Sequence, residues 1–142
     1  IIDLSSENNT EEFANKISKK IKLGDVVFLY GEMGVGKTTF VRYLINCFQE
    51  KKLKQVEVTS PTFNLLNEYQ INQIKINHYD LFRLKSSDEI KNLDLFNNNS
   101  TTITLIEWPE IIEKKPENLI ELILKYGDDN QNRFAQIKGL NP

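Results

Sequence analysis

The spacing of apolar positions changes several times along the chain, and each change marks an element. Phe13, Ile17 and Ile21 recur every four residues, which is one face of a helix. Asn9 or Thr10 can cap its start, and Glu11 and Glu12 suit a first turn whose dipole favours negative charge. Gly24 fits the stop. Val26 to Tyr30 then run apolar without alternation, as a strand covered on both faces does in a parallel sheet. A glycine-rich turn follows. Beyond it Phe40, Val41, Leu44, Ile45 and Phe48 return to helical spacing, closed by Lys51 and Lys52.

The middle of the chain reads as β. Asn64 to Gln70 and Ile74 to Asp80 predict two strands around a hairpin turn at Ile71-Asn72-Gln73. Ser86-Ser87-Asp88-Glu89 holds a capping-box pattern and predicts a helix through Phe96, followed by a loop at Asn97-Asn98-Asn99-Ser100. Thr102 to Glu107 predicts a second central strand. Trp108-Pro109 ends it, and a short helix is expected from Pro109 to Lys114. Leu119 to Tyr126 and Phe134 to Lys138 predict a closing pair of strands around the turn-rich Gly127-Asp128-Asp129-Asn130. This order predicts a three-layer α/β domain with a mixed central sheet and a β-hairpin insertion.

Length and charge narrow the possible functions. A chain of 142 residues fits one domain, 1–142, and is too short for a helicase core or a full second domain. It has 39% hydrophobic and 27% charged residues, a soluble balance, and no run near the ~20 apolar residues of a membrane-spanning helix. The net charge of -2 argues against a free-standing nucleic-acid binder but leaves room for nucleic acid held through a partner. Cys47 is the only cysteine and His78 the only histidine. No intramolecular disulfide can form, zinc catalysis is disfavoured, and Cys47 reads as a small buried hydrophobe. The first ten residues lack the basic start and apolar block of a secretory signal. The chain starts with Ile rather than Met, so a trimmed or omitted start is expected, and a reducing cytoplasm is the expected location.

Gly31-Glu32-Met33-Gly34-Val35-Gly36-Lys37-Thr38 matches the phosphate-binding loop G-x-x-x-x-G-K-[ST]. Glycines let backbone N–H groups converge on phosphate oxygens, and the loop opens into a helix N-terminus that attracts anions. Lys37 is expected to reach the β- and γ-phosphates, and the Thr38 hydroxyl to bind Mg²⁺. Four specified positions arise by accident in well under about 1 in 100 chains of this size. The flanking strand and helix strengthen the match.

Such a loop needs an acid at a neighbouring strand end, to hold Mg²⁺ directly or through water. Glu107 ends the apolar run Ile103-Thr104-Leu105-Ile106, and Asp80 ends the hairpin strand. Glu107 has the stronger claim, because a charge directly after a buried strand mimics the second NTPase motif. Thr59-Ser60-Pro61-Thr62-Phe63 lies where a switch segment would sense triphosphate against diphosphate, although taken alone it reads more simply as a Ser/Thr turn. His78 alone reads as a structural hydrogen-bonder. Trp108 reads as core, although its place between Glu107 and Pro109 draws attention.

Four segments in order, GEMGVGKTTF (31–40), TSPTF (59–63), HYDLFR (78–83) and IEWPE (106–110), resemble the TsaE (YjeE) family, the small ATPases of bacterial tRNA N6-threonylcarbamoyladenosine synthesis. The resemblance implies a P-loop NTPase-type fold that binds ATP and Mg²⁺ and hydrolyses ATP weakly by itself. It implies work beside TsaB and TsaD in modifying adenosine 37 of tRNA, which the chain would meet only through that complex. By motif match it makes Lys37, Asp80 and Glu107 catalytic, and Thr38 and Glu107 Mg²⁺ ligands. Gly31, Gly34, Val35, Gly36, Lys37, Thr38, Thr39, Thr59 and Trp108 become nucleotide contacts. Glu7 and Arg133 are candidates for the base and ribose. A small-molecule kinase would need an arginine-bearing lid, and Arg42, Arg83 and Arg133 are the only arginines. A GTPase would need N-K-x-D after the loop, and Asn15-Lys16 precedes it.

Overall fold

The computed structural model describes residues 2–32, 34–48, 65–71, 74–84, 102–127 and 132–139. The elements in order are β1 (Ile2–Asp3), α1 (Glu7–Ser18), β2 (Val26–Tyr30), α2 (Lys37–Cys47), β3 (Leu66–Ile71), β4 (Ile74–Asp80), β5 (Thr102–Glu107), one 3₁₀ turn (Pro109–Ile111), β6 (Leu119–Tyr126) and β7 (Arg133–Lys138). The strands form one sheet in the order β1-β7-β6-β2-β5-β4-β3. β2 lies parallel to β5 and β6, and β4 parallel to β5. β3, β7 and β1 run antiparallel to β4, β6 and β7 respectively. The mixed α/β sheet is the expected one, and the hairpin pairs from Leu66↔Tyr79 to Ile71↔Ile74.

The unbroken apolar runs sit in the middle of this sheet. All six residues of β5 are buried, as are the first four of β2, because both faces are covered. On one face α1 and α2 pack over Val27, Leu29, Leu105 and Leu122, and the rings of Phe13 and Phe40 meet at a centroid distance of 5.4 Å. On the other, Val26, Phe28, Tyr79, Leu81 and Ile106 form a smaller cluster. Cys47 packs half-buried against the larger core. Burial raises its thiol pKa, which suits a packing role rather than a reactive thiolate. Among the described residues both helices lie on one face, and no helix is long and apolar enough to cross a membrane. The helix expected over 86–96 and the loop at 97–100 lie outside the described residues.

Several expected boundaries move, each for a local reason. The first helix begins at Glu7, and its cap is Ser6 rather than Asn9 or Thr10. Ser6 is extended at φ -121°, and its hydroxyl accepts the Asn9 N–H at 3.1 Å, so the hydroxyl upstream satisfies the orphan donor first. Gly24 does not end this helix, which stops at Ser18 with Lys19 as its cap. Gly24 instead takes φ +94° in the turn before β2, where its N–H donates to the Thr102 carbonyl at 2.8 Å. The short helix expected over 109–114 is the single 3₁₀ turn Pro109–Ile111. β1 has only two residues, too few to show an alternation in sequence.

Replacing Ser6 by Ala should cost about 1 kcal/mol of unfolding free energy in urea titration, while Asn9→Ala should cost much less. Equal effects would return the cap to Asn9.

Candidate active site

Parallel pairing brings the chemistry to one end of the sheet. β2, β5 and β4 are adjacent and share a direction, so the loop leaving Tyr30 lies beside the carboxyl ends of β5 and β4, the usual place for a ligand in an open α/β sheet. Leu29 pairs with Glu107, and Glu107 with Asp80. Side chains alternate along a strand. Leu105 and Ile76 belong to the core under the helices, so Glu107, His78 and Asp80 share that face.

The loop is built on left-handed glycines, with φ +152° at Gly31, +79° at Gly34 and +112° at Gly36. At Gly31 a methyl group would stand 2.8 Å from Val35 Cγ1 and 2.9 Å from the Leu124 carbonyl oxygen. Only glycine lets the loop pass so close to β6. Gly36 precedes α2 with no side-chain cap among the described residues, and an uncapped helix start suits an anion. Val35 is buried, and Thr38 and Thr39 are half-buried in the first turn of α2. A cleft of about 530 Å³ opens beside the loop, lined by residues that include Gly31, Val35, Trp108, Tyr126 and Gly127.

Lys37 is 5% exposed. Its ammonium donates to the Gly31 carbonyl at 2.5 Å and lies 3.9 Å from the centroid of the Trp108 ring, a cation–π contact. Burial pulls its pKa below the ordinary lysine value, and the charges of Glu107, Asp80 and Glu110 push back. The three residues predicted to be catalytic, Lys37, Asp80 and Glu107, are therefore buried together at one site. Asp80 accepts the Phe82 N–H at 3.0 Å through Oδ1. Trp108 is half-buried, takes the left-handed conformation φ 56°, ψ 55°, and meets the Phe82 ring at a tilt of 49° with centroids 4.8 Å apart. A bulky residue in that region, just before a proline, is strained.

Among the described residues no group of three or more His, Cys, Asp or Glu side chains could hold a metal alone. The Thr38 hydroxyl and the Glu107 carboxylate are hard oxygen donors that suit Mg²⁺ completed by phosphate oxygens. Arg133 opens β7, and its guanidinium lies 4.0 Å from where a Gly36 Cβ would stand and 5.6 Å from the Tyr126 ring. Its Nε is buried with no hydrogen-bond partner among the described residues. Glu7 is placed differently. It accepts the Tyr43 hydroxyl at 2.8 Å and pairs with Arg42 at 3.7 Å, on the second turn of α2. Thr59 and the rest of 59–63 lie outside the described residues.

Sequence reasoning passed over Tyr126 and read His78 as a structural hydrogen-bonder without naming its partner. The Tyr126 hydroxyl is 3.1 Å from where a Gly34 Cβ would stand, a closeness that only the β2–β6 pairing creates. His78 meets Glu107 at 2.5 Å, Nε2 to Oε2. Its signal was the two-residue spacing from Asp80, which puts both side chains on one face.

Gly31→Ala should destabilise the fold by about 1–3 kcal/mol through strain and overpacking. Gly36→Ala has only its positive φ to oppose it and should cost less, both read by urea unfolding. Because the Lys37 pKa is lowered on folding, the unfolded chain binds the extra proton as pH nears 10.5. Stability relative to Lys37→Met should therefore rise with pH just below 10.5 and level off at lower pH. A flat difference across that window would contradict it.

Residues 4–134 match the family model described as threonylcarbamoyl adenosine biosynthesis protein TsaE. The chain is 43% identical over 129 residues to the tRNA threonylcarbamoyladenosine biosynthesis protein TsaE of Rickettsia bellii, covering 90% of this chain and 88% of that one. It is 34% identical to the protein of the same name from Nostoc sp., covering 99% and 86%. Among solved structures it resembles Bacillus subtilis YdiB with a TM-score of 0.68 and 23% identity, over 94% of this chain and 81% of that one, a likeness of fold. The chain belongs to the TsaE family.

Proposed function

We propose that the chain is a single-domain, Mg²⁺-dependent ATPase acting in tRNA threonylcarbamoyladenosine biosynthesis, the process named in its family's description. One observation carries the reading: a glycine-built loop opens an uncapped helix, and its Lys37 is buried in the field of Glu107 and Asp80. Backbone N–H groups from Gly34 to Thr39 hold the phosphates, with Gly31 making the close turn beneath them. Lys37 and those amides stabilise charge on the γ-phosphoryl group as water attacks it. Glu107 or Asp80 orients the water. Thr38 and Glu107 hold Mg²⁺, which neutralises phosphate charge when bound. Trp108 borders the nucleotide, and Thr59 is assigned to it by motif match. Arg133, beside the loop, and Glu7, at the start of α1, are assigned to the ribose and base.

The partners in this reading are TsaB and TsaD, in the cytoplasm, with tRNA met only through them. The net charge of -2 suits that indirect role. Hydrolysis is slow until the partner completes the site, because arginines that could stabilise the transferring phosphoryl group are scarce in this chain, which has Arg42, Arg83 and Arg133.

The purified chain with Mg²⁺-ATP should release phosphate slowly and speed up at least about tenfold with TsaB–TsaD. Lys37→Ala should lose about 10²–10³ of the rate, the usual effect of deleting one charge-stabilising donor. Equal tRNA modification over many turnovers with and without the chain would sink the assignment.

A further inference from the structure

His78 is fully buried and Glu107 is 3% exposed. Their contact, 2.5 Å from Nε2 to Oε2, is the histidine's one described side-chain partner, since Nδ1 has no hydrogen-bond partner among the described residues. Whichever of the two carries the proton, the contact ties Nε2 to Oε2. The ring is thus a one-ended strut aimed at a single carboxylate oxygen.

That carboxylate ends β5, beside the loop. Unrestrained, it could rotate, or offer both oxygens to a cation. With Oε2 held by His78, Oε1 is the oxygen that the contacts among the described residues leave to serve the site. Buried ligating carboxylates are commonly fixed this way from behind, and losing the support typically weakens metal binding 10–100-fold.

We propose that His78 is a positioning residue for Glu107, holding Oε2 so that the other oxygen alone meets a divalent cation brought with the nucleotide. The inference rests on the nucleotide-binding reading above. It separates His78 from a purely structural buried pair, which would affect stability without affecting the cation.

Trp108 is the only tryptophan and lies on Lys37, so its emission should report nucleotide arrival. The test is a MgCl₂ titration of the full chain with saturating ADP, following that emission for the wild type, His78→Leu, His78→Gln and His78→Asn. His78→Leu should need about 10–100-fold more Mg²⁺, with ADP binding in EDTA unchanged. His78→Gln, whose amide reaches about as far as Nε2, should return near the wild-type midpoint, and His78→Asn, whose amide is too short, should not. In ATP hydrolysis the Leu variant should recover kcat at high Mg²⁺.

A wild-type Mg²⁺ midpoint in folded His78→Leu would overturn the role of His78. If the Leu variant does not fold, equal midpoints for the Gln and Asn variants would overturn it instead. No wild-type response to nucleotide at any Mg²⁺ concentration would overturn the nucleotide reading and the role together. A normal wild-type response with an unmoved variant midpoint would overturn the role alone.

Discussion

The parallel alignment of β2, β5 and β4 is the constraint on which the rest depends. In a parallel ladder neighbouring strands finish at the same edge, so three separate stretches of chain deliver their last residues to one place. The loop leaves from one strand end, Glu107 stands on the next and Asp80 on the third. Register matters as much as direction. A slip of one residue in β5 would turn Glu107 to the opposite face and put Ile106 under the loop. The burial of all six β5 residues holds that register, because a slip would disrupt both cores at once.

How much of this was legible follows from which interactions are local. The central strands were readable because burial on both faces leaves an unbroken apolar run, and the phosphate loop because its glycines are required by backbone geometry. Helix ends were less readable, since several hydroxyls compete to cap α1 and only the extended backbone at Ser6 decides among them. β1 is visible only through its pairing with β7. Asp80 and Glu107 were identifiable as acids at strand ends. His78 was readable as a hydrogen-bonder but not its partner Glu107, and Tyr126 was not readable, because each acts across a strand pairing. Arg133 joins the loop by the same long-range route. Glu7 reaches α2 rather than the loop in its described contacts, a difference that depends on how α1 crosses α2.

The site also shows how one buried cation is tolerated. Lys37 is removed from water, which lowers its proton affinity, yet it has a carbonyl, an aromatic face and nearby carboxylates around it. Each offsets part of the desolvation cost. The strained backbone of Trp108 fits this arrangement, because the left-handed turn after Glu107 places the ring against the ammonium.

The margins of the sheet have a different consequence. An exposed strand edge is a template on which other chains can pair. One margin here is β1, with two residues. The other is β3, whose exposed Glu68 forms an ion pair with Lys75 of β4 at 3.6 Å. The two-residue stub gives an incoming strand little backbone to zip along, and charge beside the other edge opposes one. Among the described strands, the sheet is therefore disposed to stop at its two margins instead of growing by aggregation.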